Sequence, residues 1–226
     1  VYFYLIDVED PYEIVAHRSV WSAALLFLIC WTGGQLDDIW AMLKKGRNFC
    51  NFFLTAGLLS LNWGIYVYSV QTEQVVAAAL GYFIYPLCTV VLGIIVLGES
   101  LDRWAGLAIG LVCFGVAAKA MMVMDIPWVS LALAGTFSSY AVLRKRMGLD
   151  PIQGLFVETM LLLPFALAFL TWIAISGQVP FFGGGLTNVL LALFAGIITV
   201  VPLIFFHRGN QLLSLTMASL LFYSNP

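Results

Sequence analysis

The sequence predicts an all-α integral membrane protein that carries an internal repeat of inverted topology. Three observations predict this: the composition, a succession of long apolar runs, and self-similarity at a fixed shift of 140 residues. Of the 226 residues, 62% are hydrophobic and 10% charged, with a mean hydropathy of +0.99. Soluble domains average about 45 to 50% apolar and about 25% charged. About 20 apolar residues at ~1.5 Å each cross a ~30 Å hydrocarbon core, and the runs reach that length without the ~10-residue alternation of barrel strands. The net charge of -2 identifies no partner, because in such a chain the position of each charge carries the information.

In chain order the apolar segments are a remnant at 1–6, then spans at 14–31, 49–70, 75–97, 104–124, 128–143, 154–175 and 186–206, and a last one from 212. The chain reads as truncated at both ends, with about eight to nine spans present. The stretch 75–98 is the organising helix: it holds no charge and contains Gly81, Tyr82, Tyr85, Pro86 and Gly93. Pro86 removes a backbone donor and kinks the helix, which a membrane tolerates where neighbouring groups re-satisfy the freed carbonyl. Such a helix belongs inside a bundle.

A gapless shift of 140 residues lays VAAALGYFIYP at 76–86 on TMASLLFYSNP at 216–226, Gln71 on Gln211, and Asp10-Pro11 on Asp150-Pro151. Five spans separate the two Asp-Pro pairs. An odd number makes the second copy enter the membrane from the opposite side. The expected division is therefore 1–126, a first five-helix repeat lacking most of its first helix, and 127–226, a second repeat cut within the ninth helix.

Orientation follows from Lys and Arg. If the loop after 14–31 is cytoplasmic, Lys44, Lys45, Arg47, Arg103, Arg144, Lys145, Arg146 and Arg208 share that side, eight of the ten basic residues. Asp7, Glu9, Asp10, Glu73 and Asp125 fall in the alternate loops. The longest connection, 32–48, leaves no room for a soluble catalytic domain. Cys30, Cys50, Cys88 and Cys113 lack CxxC spacing and read as buried, inert thiols.

Helical spacing gives a candidate cavity lining. Ala78, Tyr82, Tyr85 and Thr89 fall on one face of the organising helix, and Thr55, Asn62, Tyr66 and Ser69 on one face of the preceding helix. Polar groups are costly against lipid, so both faces turn inward. Bonding between helices would explain Asn62 and the tyrosines as well as a solute-binding wall would. The candidate cavity set is Asn62, Trp63, Tyr66, Tyr82 and Tyr85 with Trp21, Phe222 and Asn225. His17, Arg18 and Glu158 are candidate gate or entrance charges. Arg18 and Glu158 occupy equivalent repeat positions, and inversion places them toward opposite faces, too far apart for a salt bridge. Glu99 with Asp102 and Arg103 reads as helix capping or loop charge, Gly183-Gly184-Gly185 as a flexible exterior loop, and His207-Arg208 as an ordinary positive-inside pair. Trp31, Trp40, Trp104, Trp128 and Trp172 fit an aromatic belt.

His17-Arg18, Leu61-Asn62-Trp63 with Tyr66, Leu80-Gly81-Tyr82-Phe83-Ile84 with Pro86, Leu97-Gly98-Glu99, Pro127-Trp128, Leu143-Arg144-Lys145, Glu158-Thr159 and Leu161-Leu162-Leu163-Pro164 occur in an order that resembles the RarD branch of the EamA drug/metabolite transporter family. Tyr85 departs from that pattern, which has asparagine before the proline. The resemblance implies a ten-helix bundle of two inverted five-helix halves in the bacterial inner membrane, moving small organic solutes, metabolites or drugs by alternating access without ATP. The implied partners are lipid and a small-molecule solute, with a coupling proton and a second copy of the chain as open alternatives, and no nucleic acid. No cofactor, metal or catalytic residue is expected. An intramembrane enzyme using His17 or Glu158 as acid/base, and a non-transporting scaffold, are the rival readings. The first lacks any HExxH, GxSxG or paired-aspartate motif.

Overall fold

The computed structural model describes residues 11–44, 46–101, 103–104, 106–107, 109–111, 113–115, 127–176 and 186–223, and these are helical wherever they are not turns. The helices are α1 (Pro11–Thr32), α2 (Leu36–Leu43), α3 (Gly46–Gln71), α4 (Val75–Leu97), α5 (Trp128–Met147), α6 (Pro151–Ile175), α7 (Leu186–Leu212) and α8 (Leu215–Phe222). Five stretches among them, Tyr12–Thr32, Asn48–Gln71, Val75–Leu97, Pro151–Ile175 and Leu193–Leu212, are long and apolar enough to cross a membrane. The expected loop at 32–48 holds a helix, α2, which buries Ile39 and leaves Trp40 exposed. Eight residues with apolar positions on one side make only two turns, too short a pattern to stand out in the sequence.

Local signals fix the ends. Asp150 Oδ1 accepts from the Ile152 and Gln153 amides at 2.9 and 3.2 Å, with Pro151 in the first turn of α6. Ser214 Oγ accepts from Met217 N at the start of α8. Gly98 and Gly148 close α4 and α5 at φ 67° and 63°, a left-handed backbone that glycine adopts without strain. Helix starts also keep the 140-residue spacing: Pro11 and Pro151, Gly46 and Leu186, Val75 and Leu215.

The chain forms two compact units, each drawn from both parts of the sequence. The first comprises Val1–Ala56 and Leu149–Phe206, the second Gly57–Gly148 and His207–Pro226. In the first unit α1 packs along α6. Phe27 lies 6.3 Å from Phe156, and the Asp150 carboxylate acts electrostatically on Cys30, so the start of α6 meets the end of α1 and the pair is antiparallel. α7 approaches α1 closely at Gly196, about three turns into the helix: a Cβ there would sit 2.7 Å from the Trp21 carbonyl.

In the second unit α4 packs on α5. Ser130 Oγ donates to the Ala77 carbonyl and Ser138 Oγ to the Tyr85 carbonyl, so the two helices run in the same direction. The chain between Leu97 and Trp128 must therefore return to the end from which α4 set out. A Cβ on Gly81 would stand 3.0 Å from the Ser130 carbonyl, an approach that only glycine permits without displacement. α8 packs antiparallel on α4: Glu99, beyond the end of α4, binds the Leu215 amide at the start of α8, and Tyr223 Oη donates to the Phe83 carbonyl.

Candidate functional site

The organising helix builds a chain of rings in the second unit. Tyr85, 3% exposed, stands between Phe137 of α5 and Phe222 of α8, with centroids at 5.0 and 5.1 Å. Phe137 stacks on Tyr140 at 5.9 Å, and the Tyr140 hydroxyl lies 2.8 Å from His207 Nε2. In the turn of Pro86, the Tyr85 carbonyl accepts from both Thr89 and Ser138, whose hydroxyls are also bonded to each other at 3.0 Å. These hydroxyls tie α4 to α5 beside the proline, whereas the carbonyl that Pro86 leaves without its helical amide is that of Tyr82, one turn earlier.

Tyr66 and Tyr82 form a second aromatic pair, edge-on with centroids 6.3 Å apart. Ala78, Tyr85 and Thr89 are buried on the face of α4 where Tyr82 remains 42% exposed. Its ring therefore fills no core. An exposed phenol beside a half-buried one offers ring faces and two hydroxyls to a planar or amphipathic solute.

The other predicted site residues take varied positions. Asn62 is buried and donates from Nδ2 to the Leu133 carbonyl at 3.0 Å and Thr136 Oγ1 at 2.9 Å, a bond that joins α3 to α5. Trp63 is half-buried on α3, and Asn225 lies outside the described residues. Thr55 and Ser69 bond back to their own helix. In the first unit, Trp21 buries its indole N–H without a hydrogen-bond partner among the described residues. Arg18 Nε donates to Thr199 Oγ1 at 2.9 Å. His17 and Glu158 are buried, Glu158 completely. From the Phe27 and Phe156 contact, antiparallel packing puts Glu158 beside Leu25, about two turns beyond Arg18 along α1.

Several residues escaped the sequence reading. His207 is buried on Tyr140 while Arg208 is exposed, so the two do not form the expected solvent-facing pair. Arg144 is also buried and acts electrostatically on His207. The signal was the Tyr140-Arg144 spacing of four on α5. Glu99 does act as a cap, but of a distant helix: its carboxylate accepts from Leu215 N at 2.8 Å, Thr216 N and Oγ1 at 3.2 Å, and Lys145 Nζ at 3.0 Å. Lys145 Nζ also donates to the Leu213 carbonyl. Burial alone would raise the Glu99 carboxyl, yet the bonds from the Leu215 amide, Lys145 and the Thr216 amide outweigh it and hold it below the usual carboxylate range. The four thiols are free; Cys30 is buried, but Cys50 and Cys113 are exposed, on helices with apolar outer faces. Among the described residues no His, Cys, Asp and Glu cluster could hold a metal ion. The belt tryptophans Trp31, Trp40, Trp104, Trp128 and Trp172 are all exposed.

Apolar helices of spanning length, small-residue seams and few charges define a multi-pass membrane protein. The pattern of the EamA-like transporter family matches residues 3–119, and the chain belongs to that family. It is 36% identical to Protein RarD of Streptomyces exfoliatus over 98% of this chain and 70% of that protein. It is 32% identical to Protein RarD of Escherichia coli and to an uncharacterized transporter of Vibrio cholerae, over 100% of this chain and 76% and 75% of those proteins. A protein of Pseudomonas aeruginosa named chloramphenicol-sensitive protein RarD is 30% identical over 100% of this chain and 76% of its own length. No solved structure matches.

Proposed function

We propose that this protein is a secondary permease of the bacterial inner membrane that moves small amphipathic or aromatic solutes by alternating access of two inverted halves. Family membership supports transport in general. The Tyr66-Tyr82 pair carries the finer reading, because an exposed polar ring on an otherwise buried face is what a binding surface keeps open. The shared helix starts, and the antiparallel packing of α1 on α6 and of α4 on α8, each helix with its counterpart at 140 residues, support the inverted repeat. Arg18 and Glu158 then serve opposite entrances, Arg18 with His17 drawing anionic groups or closing the outer gate and Glu158 acting at the inner one. Lys44 to Arg47 and Arg144 to Arg146 are cytoplasmic in this scheme.

The test is a thermal-shift screen of metabolites and drugs, chloramphenicol among them, followed by flux of any stabilising compound in liposomes. Stabilisation by one chemical class together with flux supports the proposal. Hydrolysis or group transfer of the compound by the purified protein, or binding without flux, would sink it.

A further inference from the structure

Glu13 and His17 lie one turn apart on α1, 3% and 4% exposed, with Glu13 Oε1 3.6 Å from His17 Nε2. One turn further along the same face Trp21 buries its indole N–H. Ionisable groups in an apolar span are costly to keep, and those that persist mark function more often than packing. Packing does not demand these two. The 140-residue shift places Gln153 and Val157 at the counterpart positions of α6, a helix that starts after the same Asp-Pro pair and lies in the same α1-α6 contact. One helix of the pair is thus built with an amide and an apolar residue where the other has an acid and an imidazole.

We propose that Glu13 and His17 form a proton-binding site at the outer end of α1, through which solute movement is coupled to protons. The coupling rests on the transport reading above, whereas proton binding by the pair does not. Each step is a proton transfer between water and either the carboxylate or Nε2, with no other bond made or broken. The pair as a whole moves from one negative charge through neutral to one positive charge as it takes up two protons.

Few ionisable groups surround the pair among the described residues; Asp7, Glu9 and Asp10, which precede it in sequence, lie outside them. On α1 itself Tyr12 and Arg18 are the nearest ionisable residues, and Arg18 Nε is turned to Thr199. From α6 the sole ionisable residue is Glu158, about two turns beyond Arg18 toward the far end of α1. The portion of α7 in this unit, to Phe206, contains none. Cys30 lies at the opposite end of α1, upward of ~20 Å from Glu13 along the helix, and Asp37, Asp38, Lys44, Arg47 and Cys50 come after that end in the chain.

Infrared difference spectra of liposome-reconstituted protein, stepped from mildly alkaline to mildly acidic, read the proton directly. A protonated-carboxyl band should appear on acidification, vanish in Glu13→Gln, move its midpoint in His17→Val, and persist in the exposed control Glu73→Gln. Both test variants install the residue already tolerated at the counterpart position. A band unchanged in Glu13→Gln overturns the site; if that variant does not fold, an unmoved midpoint in His17→Val does so alone. For coupling, a pH gradient should drive uptake of the compound that the stabilisation screen selects, and Glu13→Gln should keep downhill exchange but lose gradient-driven accumulation. Accumulation that persists in Glu13→Gln overturns the coupling. Absence of any flux in the unaltered protein overturns the transport reading instead, while the infrared band still decides proton binding.

Discussion

At the scale of single residues, Tyr82 and Asn62 separate two roles that the sequence left joined. Asn62 spends its amide on a carbonyl and a hydroxyl of α5, so Asn62→Ala should lower stability by ~1 to 2 kcal/mol and leave flux per folded molecule largely intact. Tyr82 keeps its ring 42% exposed beside Tyr66, so Tyr82→Ala should cut flux while Ile95→Ala, on an exposed apolar position, does not. Equal losses at similar expression would make Tyr82 a packing residue. For the entrances, Arg18→Gln and Glu158→Gln should each lower flux, and the double swap Arg18→Glu with Glu158→Arg should fail to restore it. Recovery in the swap would show a direct pair and end the two-entrance idea. Helical spacing was enough to place Tyr66, Tyr82 and Tyr85 among polar-bearing faces. It could not say which ring was wedged between Phe137 and Phe222, because that depends on partners more than 50 residues away in sequence.

At the scale of helices, two glycine contacts and one carboxylate fasten neighbouring elements. Gly196→Ala sets a methyl 2.7 Å from the Trp21 backbone and Gly81→Ala one 3.0 Å from the Ser130 carbonyl, so both should lose ~1 to 3 kcal/mol, Gly196→Ala the more. Gly135→Ala meets nothing within 4 Å and should gain up to ~1 kcal/mol from helix propensity. Thermal unfolding in detergent orders the three. Glu99 ties the ends of α4 and α5 to the start of α8, and its depressed pKa sets the sign of a pH effect. A carboxyl lowered by folding stabilises fully above its unfolded pKa of about 4.5, and that contribution disappears as pH falls through the lower folded value. Glu99→Gln should therefore be less stable than the unaltered protein at neutral pH and converge with it in acid. A gap that stays constant with pH would deny the charge any part. The Leu97-Gly98-Glu99 sequence announces a helix end with a polar residue after it. That the cap serves a helix 116 residues later is a tertiary fact with no local sign.

At the scale of the whole molecule, the legible features were the ones that periodicity controls: an all-helical chain with several helices long and apolar enough to span, five of them among the described residues. Helix starts at Pro11, Gly46 and Val75 recur at Pro151, Leu186 and Leu215, as the gapless shift requires. The division into Val1–Ala56 with Leu149–Phe206, and Gly57–Gly148 with His207–Pro226, was not legible, since α3 and α7 each run from one unit into the other without a break in helical pattern. α4 and α5 run parallel, and antiparallel α1 and α6 follow if an odd number of crossings separates the two Asp-Pro pairs. On the proposed inverted repeat, Lys45 and Gly183 should fall on opposite sides of the membrane, with Lys45 inside by the positive-inside rule. In a background with Cys50 and Cys113 replaced, because both native thiols are exposed, a cysteine at Gly183 should react with an impermeant maleimide in intact cells. A cysteine at Lys45 should react only after permeabilisation. Labelling of both from outside would leave the two Asp-Pro helices entering from the same side, and the inverted repeat could not stand.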